Sequence, residues 1–383
     1  MTDSSHTAIP ADLLEAAALL LPGHREIELV PGKAELIRVK TVQGWTRVTR
    51  WPEGATAERI AATHALFERG AGAEIRCLPS PYSGPNGEAS IALPGGHRYD
   101  ARGWLPGQPT LRAEPIEGLF LPEYLPLDHL AAMAMNVGRI HAAAQPIVDQ
   151  RRLTPMPLTS VHRAVSLTGR DERGLLAGKH RTYPPMRAWL RASERIVPAS
   201  ADAIGLLQDG EAKRFVATHG NLWPEHALFT RPEGVTHLSG LTGWSRLAAS
   251  SPLIDLAQIV ARNRGWSQEA AEVVLESYQS VAPLLPEERR ALPMIVGLDL
   301  LSITGPLMIA RVQAATGELR LPGMAVQTLQ VTLERLLDAL DKIVPLLTGY
   351  DEKSPKRGRK WVYRTTPGAP PRDNRPRPKR RSE

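Results

Sequence analysis

A polar loop near the middle of the chain carries the side chains best suited to chemistry. It begins His219-Gly220-Asn221 and reaches His226 five residues later, with apolar runs on either side. The Asn221 amide can orient a hydroxyl group but cannot accept its proton near neutral pH. The His226 imidazole can ligate a metal ion. The sequence contains neither GxSxG nor HExxH, so serine-hydrolase and zinc-protease chemistry lack a supporting motif.

The loop resembles the catalytic loop of the aminoglycoside phosphotransferase, choline kinase and homoserine kinase superfamily, which has the form H-G-D-x-x-x-x-N before an apolar strand. Further along, the run GLTGW that ends at Trp244 resembles that superfamily's metal-binding strand, which ends G-L-I-D-W. The run SPLIDLA that begins at Ser251 resembles its D-P-x-x-D-L-A helix start. Because the three motifs keep the superfamily's order, the chain from Ile27 to Leu347 is identified as a divergent member.

The resemblance implies an α+β, protein-kinase-like fold of two lobes, with a small antiparallel sheet in the N-lobe and a larger helical C-lobe. Acceptor specificity in the superfamily lies in helical insertions of the large lobe, here residues 153–198. We expect four segments along the chain: an N-terminal helix (residues 1–24), an N-lobe (25–104), a helical C-lobe (105–350) that contains the catalytic-like loop 219–229, and a basic, disordered tail (351–383).

The resemblance also implies ATP and Mg²⁺ as cofactors. In such kinases one aspartate orients or deprotonates the acceptor hydroxyl, while an asparagine and a second aspartate hold the metal ions. Asn221 stands at the first aspartate, His226 at the asparagine and Gly243 at the second aspartate, while His219 organises the loop backbone. Near 4 Å and at an effective dielectric of about 20, each lost unit charge forfeits about 4 kcal/mol against a unit cation. We therefore expect Mg²⁺ to be poorly held and phosphoryl transfer to be lost or greatly reduced.

Nucleotide contacts are expected in the amino half. The resemblance places Gly32 and Lys33 in the turn that covers the phosphates, Arg50 at the position of the ATP-contacting lysine, and Trp104 at the hinge that meets adenine. Because Arg50 shares a strand face with Val48, we expect it to point into the cleft between the two lobes.

Several alternatives remain open at the level of sequence. The helix glutamate that could pair with Arg50 is either Glu58 or Glu68, although a solvated charge on the helix is the favoured interpretation of both. Asp255 is expected to bond the loop backbone and not to react. The alternative function is an active ATP-dependent kinase of a small hydroxylated molecule, in which Glu225 supplies the carboxylate that Gly243 lacks. A third hypothesis is an interaction protein that uses the basic tail.

Hydrophobic periodicity predicts the elements that must position these residues. Strands are predicted at Ile27–Val30, Ala34–Lys40, Trp45–Trp51, Ala89–Leu93, Arg98–Trp104, Arg214–Thr218, His226–Thr230 and Val235–Leu241. Helices are predicted at residues 11–21 and 57–69, after Asp128, and at Met186–Ile196, Asp202–Gln208, Leu253–Arg262, Glu269–Val281 and Val326–Leu347. Residues 105–109 are predicted to be a linker.

Charge is concentrated at the carboxyl end of the 383-residue chain. Residues 351–383 hold twelve Lys or Arg and four Asp or Glu, so their net charge is +8. The other 350 residues carry −1, which gives the formal net charge of +7 for the whole chain. This segment is rich in Pro and Arg and poor in aliphatic side chains, which predicts disorder. It is either a solvated end or a non-specific, salt-sensitive site for nucleic acid or an anionic surface.

The remaining composition bounds the compartment. A single cysteine, Cys77, excludes an internal disulfide and favours a reducing compartment, and residues 1–21 lack the basic start of a secretory signal. We therefore expect a cytoplasmic protein. The most apolar stretch, Ala291–Ala310, contains Asp299, two glycines and two prolines, so it is predicted to form buried core helices and not a membrane span.

Overall fold

The structure is a computed structural model that describes residues 9–30, 33–110, 121–165, 184–208 and 214–347. A small antiparallel sheet in the amino part is followed by a larger helical part, so the α+β prediction is confirmed. The small sheet contains β1 (Glu26–Leu29), β2 (Leu36–Thr41), β3 (Gly44–Arg50), β4 (Pro81–Tyr82), β5 (Ile91–Ala92) and β6 (Arg98–Gly103). The later strands are β7 (Gln108–Pro109), β8 (Val216–Thr218), β9 (Ala227–Thr230), β10 (His237–Leu241) and β11 (Ala248–Ser250).

The two faces of the small sheet are covered by different helices. Its strands lie in the order β1-β2-β3-β6-β4, with β5 also on β6, and successive side chains of a strand point to opposite faces. Ile37, Val48 and Ala101 lie opposite one another in the register. They are fully buried beneath α1 (Ala11–Leu20). The other face is covered by α2 (Ala57–Gly72).

The helical part forms one core that also takes in α2 and the loop strands. Its largest fully buried side chains include Trp189, Trp244 and Tyr278. Its helices are α3 (Leu127–Asp149), α4 (residues 158–165), α5 (Pro184–Gln208), α6 (Leu253–Asn263), α7 (Gln268–Gln279), α8 (Pro286–Thr316) and α9 (Gly323–Ile343).

The predicted linker is partly a strand that joins the two parts. Within residues 105–109, β7 pairs with β9 and adds a third strand to the sheet β10-β9-β7. Gly107 has φ +95°, and a Cβ there would lie 2.8 Å from the Phe229 carbonyl oxygen of β9. The backbones therefore approach closely at a position that only glycine fits.

Two helices run further than their sequence pattern predicts. Residues 186–208, predicted as two helices, lie in the single helix α5, which continues through Pro198. Its residues Ile196 and Ala203 are buried in the core on either side of the proline, and this packing offsets the lost backbone hydrogen bond. The second is α8, which runs over Pro286–Thr316 and so extends beyond the predicted core segment Ala291–Ala310. By length and composition α8 could cross a membrane, but 72% of its apolar window is buried within the protein, as predicted for a core helix.

Candidate functional site

One buried carboxylate, Asp255 in the first turn of α6, fixes the backbone of the polar loop. Its two oxygens accept hydrogen bonds from the N–H groups of His219 and Gly220, each 2.8 Å long. Oδ2 also accepts a bond from His141 Nε2 at 3.1 Å. Burial alone would raise the pKa of Asp255, but these bonds and the neighbouring histidines lower it below its ordinary value. Asp255 therefore bonds the loop backbone, as predicted.

Two amides further along α6 hold the same loop. Gln258 Oε1 accepts a hydrogen bond from the Leu222 N–H at 2.9 Å, and its Nε2 donates to the Gly220 carbonyl oxygen at 3.2 Å. Asn263 Nδ2 donates to the Leu222 carbonyl oxygen at 3.2 Å. Both residues are buried polar groups, as are Asp255 and Arg262 on the same helix. The sequence analysis missed them, although their polarity within that helix was the available signal.

His219 uses both ring nitrogens to organise backbone. Nε2 donates to the Thr242 carbonyl oxygen at 2.7 Å, and Nδ1 accepts from the Asn221 N–H at 3.2 Å. Its ring lies against Trp244, with ring centroids 4.4 Å apart. Burial lowers the pKa of His219 to about 4 despite the nearby charge of Asp255, so the ring is neutral near pH 7. Its contacts are those of a positioning residue, and neither nitrogen is left for a substrate.

The structure brings Asn221, His226 and Gly243 together. His226 Nδ1 donates to the Asn221 carbonyl oxygen at 2.7 Å, because that oxygen can only accept. Burial lowers the pKa of His226, which favours the neutral ring with a lone pair on Nε2. The Asn221 backbone is thus held on both sides by histidine nitrogens.

The His226 ring fills the space that a side chain at Gly243 would need. A Cβ on Gly243 would lie 2.7 Å from both Cε1 and Nδ1 of that ring, a separation that real Cβ atoms essentially never show. Gly243 also has φ +77°, where an L side chain is strained. The carboxylate that the family motif has at this position is therefore absent, and the His226 ring occupies the space where it would lie.

The donors beside His226 do not match the Mg²⁺ site that the family motif describes. Glu225 Oε1 lies 3.4 Å from His226 Nε2 and 3.7 Å from Lys33 Nζ. Mg²⁺ prefers oxygen ligands in octahedral geometry, whereas this position offers one imidazole and one carboxylate that already faces a lysine. The described ranges contain no group of three His, Cys, Asp or Glu side chains able to hold a metal ion.

Lys33 brings the β1–β2 turn towards the polar loop through its contact with Glu225. Both side chains are partly exposed, so a polyanion entering the cleft could compete with Glu225 for the lysine. The prediction that Lys33 contacts phosphate remains a prediction. Gly32 and the tail, residues 351–383, lie outside the described residues.

Arg50 lies on the sheet face that α1 covers. Its Nη1 donates to Asp12 Oδ2 at 3.0 Å, and the Tyr99 hydroxyl donates to the same oxygen at 2.6 Å. The face that Arg50 shares with Val48 is the α1 face, so the expected orientation into the cleft is not observed. Arg50 instead fastens α1 to the sheet.

The α2 residue that faces the sheet is His64, and not either glutamate considered from the sequence. Glu58 and Glu68 are both exposed, whereas His64 is buried and its Nε2 donates to Asp100 Oδ2 at 2.8 Å. Both glutamates are therefore solvated helix charges, the interpretation that the sequence favours, and neither pairs with Arg50 among the described residues.

A buried charge network occupies the sheet face that α2 covers. Arg47 and Arg102 lie opposite each other in the register, and Arg102 Nε donates to Asp100 Oδ2 at 2.5 Å. Burial, followed by the charge of Arg102, lowers the pKa of Arg47 to about 9. In the described part of the chain, Arg47 Nε has no hydrogen-bond partner. The analysis of the sequence missed this network, although Asp100 and Arg102 at alternate strand positions signalled it.

Trp104 stands at the hinge between the two parts and is half-buried. Its backbone N–H donates to the Trp45 carbonyl oxygen at 3.0 Å. The guanidinium carbon of Arg38 lies 4.1 Å from the Trp45 ring centroid and 5.3 Å from that of Trp104. A cation therefore lies against both indole rings, and the contact of Trp104 with adenine stays a prediction.

Comparison with known proteins identifies the family of the chain. The model of the phosphotransferase enzyme family matches residues 26–292, which is more than half of the chain. This protein therefore belongs to the phosphotransferase enzyme family. No curated protein matches the chain.

Three solved structures of similar fold are small-molecule kinases. An aminoglycoside phosphotransferase from Alicyclobacillus acidocaldarius is 14% identical with a TM-score of 0.61, covering 91% of this chain and 99% of its own. A microcompartment-associated aminopropanol kinase is 11% identical with a TM-score of 0.56, covering 89% and 98%. An amicoumacin kinase in complex with AMP-PNP and Ca²⁺ is 12% identical with a TM-score of 0.52, covering 85% and 92%. At these identities the likeness establishes the fold, and the predicted protein-kinase-like fold is confirmed.

Proposed function

We propose that this protein is a nucleotide-binding member of the phosphotransferase family in which phosphoryl transfer is lost or greatly reduced. The observation that carries the proposal is the His226 ring in the space of a Gly243 side chain. A site that had merely lost a carboxylate would leave that space open. Here the replacement side chain packs into it and bonds the backbone of Asn221.

The charge balance supports the same conclusion. Asn221 is neutral and cannot accept the proton of an acceptor hydroxyl near pH 7. With no carboxylate at Gly243, the developing negative charge of a transferred phosphoryl group lacks a well-held metal ion beside it. These are two separate losses in chemistry that depends almost entirely on positioning and charge neutralisation.

Nucleotide binding has its own support. Lys33 is a partly exposed cation and Trp104 a half-buried aromatic ring, which suit phosphate and adenine respectively. Relatives of similar fold have been crystallised with ADP and with AMP-PNP.

We place the protein in the reducing cytoplasm. Burial raises the pKa of the Cys77 thiol to about 12, so this thiol would be unreactive there.

Thermal unfolding with ATP, in the presence and absence of Mg²⁺, tests the proposal. We expect ATP at 100 times its Kd to stabilise the protein by about 2.7 kcal/mol, to the same extent with and without Mg²⁺, and with no release of ADP. A Mg²⁺-dependent shift accompanied by ADP release would overturn the loss of transfer. No shift at any ATP concentration would overturn nucleotide binding.

The second candidate is an active kinase in which Glu225 contributes to metal binding, favoured by its 3.4 Å approach to His226 Nε2. The variant Glu225→Gln separates the two, because they predict opposite signs. Without a metal role, loss of this charge frees Lys33 and strengthens ATP binding several-fold. With a metal role, Mg²⁺-dependent ATP binding weakens. Glu233→Gln, an exposed change in a nearby turn, is the matched control and should leave both measurements unchanged.

A further inference from the structure

A cavity of about 650 Å³ opens beside the polar loop. It lies between Gly220, the first turn of α2, α4 and α8, and its volume is within the range of small-molecule sites, about 300–1,000 Å³. Most of its wall is apolar. The apolar lining includes Met156, Val161, Ile254, Ile295 and Leu298.

The charged groups on the cavity wall are mostly cations. They are Arg59, Arg246, Arg262 and a single carboxylate, Asp299. Arg262 donates two hydrogen bonds to that carboxylate, of 2.8 and 2.7 Å, so the charges of Arg262 and Asp299 largely cancel, and those of Arg59 and Arg246 remain. The cavity therefore carries an excess of positive charge.

Arg59 and Arg246 stand at the opening. Both are exposed side chains that line the cavity, and neither forms an ion pair with a carboxylate of the described residues. Partial burial, followed by the like charge of Arg246, lowers the pKa of Arg59. An anion between them would relieve this repulsion.

Arg262 is already engaged by its neighbours. The residue is 6% exposed, its guanidinium is bonded to Asp299, and its guanidinium carbon lies 4.5 Å from the Trp223 ring centroid. The head group of a ligand is therefore left to Arg59 and Arg246.

We propose that the cavity binds an amphiphilic anion, with an anionic head held by the arginines and an apolar body against α4 and α8. The inference rests on the proposed function for placing this cavity on the acceptor side of the polar loop. It separates this chain from phosphotransferases of aminoglycosides, because those substrates are polycations that the arginines would repel.

Calorimetric titration of the full-length protein with three probes tests this proposal. The probes are octyl phosphate, octylamine with the same chain and opposite charge, and inorganic phosphate with the head alone. We expect octyl phosphate to bind at least tenfold more tightly than either of the others, a difference of about 1.4 kcal/mol. Equal affinity for octylamine, or for inorganic phosphate, would overturn the proposal.

Variants locate the binding. The double variant Arg59→Gln with Arg246→Gln should weaken octyl phosphate at least tenfold. Arg335→Gln, an exposed arginine on α9 that does not line the cavity, should leave the affinity unchanged. Because the basic tail is present in all variants, undiminished binding by the double variant would place the anion elsewhere and overturn the assignment.

An ATP titration of the same samples keeps the two proposals apart. Retained ATP binding with no preference for octyl phosphate contradicts the cavity assignment alone. A clear preference for octyl phosphate without any response to ATP contradicts nucleotide binding alone. The comparison of the three probes on the unmodified protein does not depend on whether a variant folds.

Discussion

At the scale of single residues, the site is defined by a coupled replacement. Asn221 and Gly243 alone would indicate two missing carboxylates, which point substitutions could restore. The structure shows that His226 has taken the space at Gly243 and bonds the Asn221 carbonyl oxygen. Positions 226 and 243 therefore have to be considered as one unit, because a side chain at 243 meets the His226 ring, whereas His226 contacts only the backbone of Asn221.

The first residue-scale prediction concerns Gly243→Asp. The substitution strains a backbone at φ +77° and also meets the His226 ring, whereas Gly317→Asp strains a similar backbone at φ +78° with nothing within 4 Å. The left-handed conformation costs about 1–2 kcal/mol, so both variants lose that much. We expect Gly243→Asp to lose at least about 1 kcal/mol more, as measured by urea unfolding. Adding His226→Asn should recover this excess.

The same unit can be tested for metal binding. The triple variant with Asn221→Asp, His226→Asn and Gly243→Asp has the family's three side chains, and we expect it to bind Mg²⁺ in the presence of ATP. The variant without His226→Asn should bind less, because the ring still occupies the site. A folded triple variant with no gain in Mg²⁺ affinity would show that these loops are wrongly aligned with the family motif.

At the scale of elements, the sequence predicts features that depend on local pattern, but not the partners that side chains find far along the chain. The range Leu253–Arg262 matches α6 to within one residue, because apolar periodicity is a local signal. The partners of Arg50 and Asp100 could not be read in this way. Asp12 lies 38 residues from Arg50 and His64 lies 36 residues from Asp100, so packing of α1 and α2 on opposite sheet faces decides them.

The element-scale prediction concerns the attachment of α6 to the polar loop. Asp255→Asn removes the charge that accepts two backbone N–H bonds and one from His141. Breaking such a buried pair costs about 3–5 kcal/mol. Asp338→Asn, in an exposed pair with Lys342, should cost less than about 1 kcal/mol. Equal losses for the two variants would contradict this role.

The pH dependence of the same variant gives a second measurement. The pKa of Asp255 is lowered in the folded protein, so its contribution is present above the ordinary aspartate pKa, which is about 4. It is lost as the pH falls through the lower, folded value. The free energy of unfolding should therefore fall more steeply towards acid pH in the unmodified protein than in Asp255→Asn. Parallel curves would show that the carboxylate is not the stabilising group.

At the scale of the whole molecule, net charge and fold belong to different parts of the chain. Residues 1–350 carry a net charge of −1, and residues 351–383 carry +8. Long-range attraction of the protein to anions should therefore depend on the tail, whereas binding of nucleotide and of the cavity ligand should depend on the folded part. Trp361 and Tyr363, among the tail's cations, could add stacking on unpaired bases.

Removal of residues 351–383 tests this division. Full-length protein should bind single-stranded DNA of mixed sequence with an affinity that falls with salt, by a logarithmic slope of about −0.7 for each phosphate contacted. The shortened protein should lose this binding, because its net charge is close to zero, and should keep the full-length Tm and response to ATP. DNA binding that survives the deletion, with the same salt slope, would assign it to the folded part and leave the tail as a solvated end. A double variant with Trp361→Ala and Tyr363→Ala keeps the charge, so it should retain the slope and lose only the stacking contribution, about 1–3 kcal/mol per base.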